Sequence, residues 1–186
     1  MNFFKICILL ILITFSKIGS ADDCYIAKIA VVDIESVLEN SLAITAIKKS
    51  INTLSQNIQD DISKQEKKLK IDEQKLLELQ KTLSEEKFDS LVVKFNKDVS
   101  NTKKNMQLRK SALDQAYLEA IEAVHQKIIA IITELAKEHR LNMVLPSSQV
   151  LYVASELNVT FEVISKLNDS LNEVPINYQK FLKNKE

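Results

Sequence analysis

The sequence predicts a mainly helical α+β protein, a long antiparallel coiled-coil hairpin on a small β-sheet base, preceded by a cleavable leader. Three observations carry this prediction. Apolar residues recur at alternating steps of three and four along two long stretches, 44–83 and 88–135. Among 186 residues there is one glycine, Gly19, two prolines, Pro146 and Pro175, and no tryptophan, so chain breakers are nearly absent. Short β-rich runs flank the helical stretches on both sides.

The leader comes first. Lys5 precedes an almost unbroken apolar run from Ile6 to Phe15, followed by Gly19-Ser20-Ala21 and then Asp22-Asp23. This is the pattern of a secretory signal peptide over residues 1–21, with cleavage expected after Ala21. The apolar run is about ten residues, half of the roughly twenty a membrane span requires. A lipid-anchored form would need a small apolar box before Cys24, where Ala21-Asp22-Asp23 stands instead. Cleavage removes Cys7, leaving Cys24 without an intramolecular disulfide partner. Cys24 is then either a free thiol or a link between two chains. Loss of Lys5 and Lys17 leaves 23 basic against 25 acidic residues, a net charge of −2, which weighs against a nucleic-acid-binding protein.

Residues 22–43 are expected to form the first part of the base. Tyr25 to Val32 reads as a strand stopped by Asp33, and Asp33 or Ser36 can cap a following helix by accepting from orphan backbone N–H groups. Residues 44–135 are expected to form the two arms. Ile44, Ile47, Ile51, Leu54, Ile58, Ile62, Leu69, Leu76, Leu79 and Leu83 follow heptad spacing with a stutter at Ile58–Ile62. A second series runs from Phe88 through Val92, Phe95, Val99, Thr102, Met106, Leu113, Tyr117, Ala120, Val124, Ile128 and Ile131 to Leu135.

Folding the chain back at a tip near 84–87 pairs Leu76 with Phe95, Leu69 with Thr102, Ile58 with Leu113, Leu54 with Tyr117, Ile51 with Ala120 and Ile47 with Val124, each pair summing to 171. The stutter is mirrored, since Ile62 then faces Arg109. Ser84 followed by Glu85-Glu86 suits the start of the second arm, where carboxylates meet the positive end of the helix dipole. Each arm holds about 40 residues, roughly 60 Å. Gln65, Asp72, Thr102 and Arg109 take core-type positions in the outer half, whereas aliphatics fill the half near the base. The outer half should therefore be the softer half, the polar residues serving either to set register or to keep the arm flexible.

Residues 136–172 are expected to complete the base. Leu141–Pro146 and Gln149–Ala154 read as two strands around a Ser147-Ser148 turn, and a helix from Phe161 to Leu171 follows with Thr160 as its cap. Asn158-Val159-Thr160 also fits a glycosylation sequon, but its position at a helix start favours capping. Residues 173–186 are polar and lysine-rich and read as a flexible tail. About three short strands leave exposed edges and too little core. Association through the apolar faces of Ile29, Val31, Val144, Leu151 and Val153 would answer both deficits, and a closed homo-oligomer is expected.

No reactive constellation accompanies this scaffold. His125 and His139 have no second His or Cys at metal-ligand spacing, and no glycine turn exists in the mature chain to present a nucleophile or cradle a phosphate. Asp60-Asp61, Asp72-Glu73 and Glu85-Glu86 are adjacent pairs that point apart on helices. The expected catalytic, cofactor and metal residues are therefore none. Charge is uneven: Lys48 to Lys110 holds fifteen basic against ten acidic residues, so the arms are basic and the rest is acidic. Such arms are either ordinary solvated faces or a surface for acidic clients or lipid head groups, the latter implying weak membrane-surface contact.

Ile29-Ala30-Val31-Val32-Asp33 and the stretch from Val150 to Asn168, VLYVASELNVTFEVISKLN, resemble the OmpH/Skp family of periplasmic chaperones. The resemblance implies an ATP-independent holdase: a homotrimer whose bases share a β-barrel and whose hairpins enclose unfolded outer-membrane proteins. By that analogy Ile29, Val31, Leu151 and Val153 build the trimer base, and Lys67, Lys68, Lys70, Lys103, Lys104, Arg109 and Lys110 meet the client. The family tends to be more basic than this chain, so no lipopolysaccharide site is carried over. The alternative is an exported coiled-coil scaffold binding one folded envelope partner. Nucleic-acid binding through the basic arms, a third class, would show steeply salt-dependent affinity.

Overall fold

The computed structural model describes residues 27–183, so the leader, Cys24 and the start of the predicted first strand lie outside the described residues. Strand β1, Ile29–Val32, is followed by a short helix α1, Ile34–Glu39. Asp33 caps α1, its Oδ1 accepting from Ser36 N at 3.0 Å. The arms are α2, Leu42–Leu79, and α3, Glu85–Glu138. At 1.5 Å per residue they extend about 57 and 81 Å. Strand β2, Met143–Pro146, two 3-10 turns, Ser147–Gln149 and Ser155–Leu157, and helices α4, Thr160–Ser170, and α5, Tyr178–Lys183, complete the chain.

The hairpin tip lies slightly earlier than expected. Residues 80–84 make the turn, and Glu85 and Glu86 already form the first turn of α3. Ser84 occupies the N-cap position without a side-chain hydrogen bond, so the two carboxylates at the helix start are the capping device that remains. At its other end α3 closes without glycine: Leu141 N donates to Ala136 O at 2.8 Å and Arg140 N to Lys137 O at 3.3 Å, with Arg140 held at φ 54°. This is a Schellman closure made with an arginine where glycine is the ordinary choice.

The main core lies at the base. Val32, Val37, Ala43, Ile44 and Ile47 pack against Ala120, Val124, Ile128, Ile131 and Leu135, with Val163 and Leu167 of α4 closing the cluster. Burying each of the larger aliphatics contributes about 1.5–3 kcal/mol. Polar ties set the geometry. Ser41, itself buried, caps α2 through Oγ, and Asn168 of α4 accepts from Leu42 N at 2.9 Å while donating to Asn40 O. Thr160 does not cap its own helix as expected. Its hydroxyl oxygen accepts from Asp33 N at 2.9 Å, tying α4 to the end of β1, and Asn158 Oδ1 accepts from Thr160 N instead.

The sheet is smaller than expected. β1 and β2 pair in parallel, from Ile29 beside Met143 to Val32 beside Pro146, with the hairpin as their crossover. A single bridge from Val31 to Asn158 adds to that edge. The predicted strand Gln149–Ala154 is absent: Val150 to Ala154 is irregular, with extended backbone at both ends. A strand exists only as part of a ladder, and among the described residues this segment has no neighbour to pair with. The tail also departs from expectation. Rather than lying loose, it forms α5 and packs on α3, with Tyr178 buried against Ile58, Ile62, Ala112 and Ala116.

Candidate functional site

Two surfaces stand out, the outer hairpin and the exposed loop beside the sheet. In the outer hairpin the heptad pattern produces a seam that is never sealed. Gln65, Leu69, Asp72 and Leu76 on α2, and Phe88, Val92, Phe95, Val99, Thr102, Met106 and Arg109 on α3, are all half-buried, and no residue from 63 to 111 is fully buried. The expected register is visible in the grooves: Leu69 and Thr102 line one together, and Leu76 and Phe95 another nearer the tip. The polar members leave this part of the seam half-buried, the kind of packing from which softness is expected. Closer to the base the pattern is refined. Ala112 and Ala116 are fully buried, whereas Tyr117, predicted for the seam, is 37% exposed.

The basic arm residues lie mostly at the surface. Lys67, Lys68, Lys70, Lys103, Lys104 and Lys110 are exposed. Arg109 differs, being half-buried and joined to Asp61 at 3.2 Å across the two arms. Of these cations only Lys68 lines the grooves between the arms, where it and Lys75 and Lys94 mix with Asp72 and Asp98 and with apolar Leu76, Leu79, Leu91 and Phe95. Such a surface is amphipathic and open, fitted to many weak contacts rather than to one shaped ligand.

The base candidates divide. Leu151 is 108% exposed and Tyr152 is 85% exposed, and Ile29, at 37%, is also on the surface, with Val153 half-buried. Val31, by contrast, is only 3% exposed and is covered by its own chain. It belongs to the protomer's interior and offers no surface to a partner. Two adjacent apolar side chains standing free on an irregular segment form a patch of the kind that marks an interface. Sequence reading identified that segment through its β character, but did not pick out Tyr152.

The histidines lie apart. His125 is half-buried on α3, and His139 ends that helix with Nε2 3.1 Å from Glu162 Oε1. The fold brings Glu138, His139 and Glu162 together, a grouping invisible in sequence because Glu162 comes from α4. Lys166 Nζ already lies 2.9 Å from Glu138, and that bond, above all, raises the Lys166 pKa. The group reads as a polar clasp between α3 and α4. Among the described residues no helix is long and apolar enough to cross a membrane.

Comparison with known proteins agrees with this architecture. A candidate outer membrane chaperone (OmpH-like) from Caulobacter crescentus CB15, known from a crystal structure, superposes with a TM-score of 0.74 at 13% sequence identity, covering 81% of this chain and 89% of that one. At that identity the likeness is one of fold. No curated protein matches the sequence significantly. The model of the family described as outer membrane protein (OmpH-like) matches residues 28–167, from the start of β1 into α4 and across the whole hairpin. This chain belongs to the OmpH-like outer membrane protein family.

Proposed function

We propose that this protein is an ATP-independent periplasmic holdase that binds unfolded outer-membrane proteins and keeps them from aggregating, working as a homotrimer. The observation that carries the reading is the open seam: more than forty consecutive residues of hairpin, 63 to 111, present half-exposed apolar side chains among lysines without one sealed layer. Such an arm can form many weak, exchangeable contacts with an unfolded chain, and needs neither nucleotide nor reaction to do so. Lys67, Lys68, Lys70, Lys103, Lys104 and Lys110 supply an attractive field for acidic stretches of client, with Arg109 fixing the arms to each other. Ile29, Leu151 and Val153, joined by Tyr152, form the trimer contact. There the irregular segment 150–154 gains the ladder it lacks in one chain. Release follows when insertion into the membrane becomes more favourable than the sum of weak contacts. The family and the Caulobacter crescentus fold support this reading.

The test is light scattering while a urea-unfolded outer-membrane β-barrel protein is diluted into buffer with and without residues 22–186. Suppressed aggregation at about one oligomer per client is expected. Unchanged scattering with a folded protein would replace the holdase by a scaffold that binds a folded envelope partner.

A further inference from the structure

Helix α5 is too short to stand alone. Six residues make fewer than two turns, well below the length at which an isolated helix persists in water, and residues 171–177 before it carry no regular structure. A notch in the hairpin holds it. Ala112 and Ala116, one turn apart on α3, leave room beside Ile58 and Ile62 of α2 for the ring of Tyr178, which is 7% exposed, and Ile176, Phe181 and Leu182 pack on the same cluster. A polar clip closes alongside: Asn177 Nδ2 donates to Glu119 Oε2 at 3.1 Å, and Lys180 Nζ donates to Glu119 Oε1.

Two features make this notch more than a brace. First, its position: the cluster at Ile58, Ile62, Ala112 and Ala116 is the last sealed layer before the open outer hairpin, so a chain lying along the outer seam would run directly into it. Second, the occupant. Val174, Ile176 and Tyr178 are buried or half-buried while Pro175, Asn177 and Gln179 between and after them are exposed, an every-second-residue placement of apolar side chains against the hairpin that ends in an aromatic residue. Strands of membrane β-barrels carry the same alternation, with aromatic residues near their ends. Residues 174–178 of the strap therefore share the every-second-residue placement of a barrel strand while they occupy a helix-lined seat, and residues 178–183 continue as α5.

We infer that the Ala112–Ala116 notch is a client-binding subsite and that residues 174–182 are its internal competitor, displaced by an unfolded segment that carries an aromatic side chain beyond alternating aliphatics. This rests on the holdase reading and names one subsite within it. A strap docked in nine molecules of ten weakens apparent client affinity about tenfold, since only the open fraction binds.

The experiment has two arms. Hydrogen exchange on the unmodified chain compares α5 amides free and with a urea-unfolded outer-membrane β-barrel protein bound, and faster exchange of residues 178–183 in the complex is expected. Affinity for the same client is then measured for Tyr178→Ser, with helicity and thermal unfolding confirming the fold, and binding several-fold to about tenfold tighter than wild type is expected. Unchanged α5 protection in the complex, or a Tyr178→Ser chain that binds no more tightly, overturns the inference while leaving the holdase reading in place. If the wild-type chain binds no client, the holdase reading falls instead. The seat is then judged with a labelled peptide of residues 172–186, which should bind the Tyr178→Ser chain saturably and wild type weakly; absence of binding overturns it.

Discussion

Filling the polar positions of the outer seam should stiffen the arm. Gln65 and Asp72 are half-buried on α2, in line with Leu69 and Leu76, and border a groove shared with Thr102 and Asn105 of α3. Full burial of a leucine contributes about 1.5–3 kcal/mol, so at half burial each Leu replacement should add about 1 kcal/mol, and the pair Gln65→Leu with Asp72→Leu about 2 kcal/mol. Local opening of the outer hairpin then becomes rarer by about 30-fold, since every 1.4 kcal/mol is a factor of ten. Hydrogen exchange resolved by peptide fragments reads this directly, with the base around Ile47 and Val124 as an internal reference that should not change. On the holdase reading the stiffened arms should also hold clients less well, because they adapt to fewer client shapes. Equal exchange rates in residues 65–105 of a folded double variant would refute the claim that seam polarity sets the arm's softness.

Other substitutions probe the base and the strap. Thr160→Val keeps the shape but removes the oxygen that accepts from Asp33 N, leaving that N–H unpaired, so urea unfolding should show a loss of about 1–3 kcal/mol. Arg140→Gly relieves the left-handed backbone at the end of α3 and should raise stability by about 1 kcal/mol in the same assay. Leu151→Asp should leave each chain folded while sedimentation shows a lower mass, whereas Val31→Asp, a charge placed in the protomer's interior, should unfold the base. Lys180 and then Asn177 hold the Glu119 carboxyl below its ordinary value of 4.5. That contribution to strap docking is therefore present above pH 4.5 and lost as the pH falls below it, through the lowered value. Exchange protection of α5 should decline over that acid range in wild type and be insensitive to it in Glu119→Gln.

Much of this was legible because heptads are local. The steps of three and four placed the seam residues Leu69, Leu76, Phe95 and Thr102 correctly, and the constant sum set the arms in register, because side-chain direction on a helix follows from spacing alone. What escaped needed a partner remote in sequence. Asn168 capping α2, Thr160 holding Asp33 and Glu162 meeting His139 depend on how α4 lies across the base, which no local pattern encodes. The strap escaped for a related reason. Ile176, Tyr178, Phe181 and Leu182 are too few to show helical periodicity, and the alanines that receive them look like neutral helix formers until a ring sits between them.

The missing strand makes the opposite point, since there the local signal was strong and the single chain could not satisfy it. Val150 to Ala154 has β character and extended backbone at its ends, yet Leu151 and Tyr152 stand in solvent and the sheet stops at two strands. Parallel pairs of four residues are rarely self-sufficient: they ordinarily need both faces covered, and here β2 remains only half-buried. Exposed apolar residues on an unpaired edge and an undersized sheet are complementary deficits. Bringing copies of this base together would give segment 150–154 a ladder, cover β2 and hide Leu151 and Tyr152 in one step. The helical core of the protomer is already closed by α4. That asymmetry between a finished helical core and an unfinished sheet is the physical argument for closed association through the base, with the arms left open.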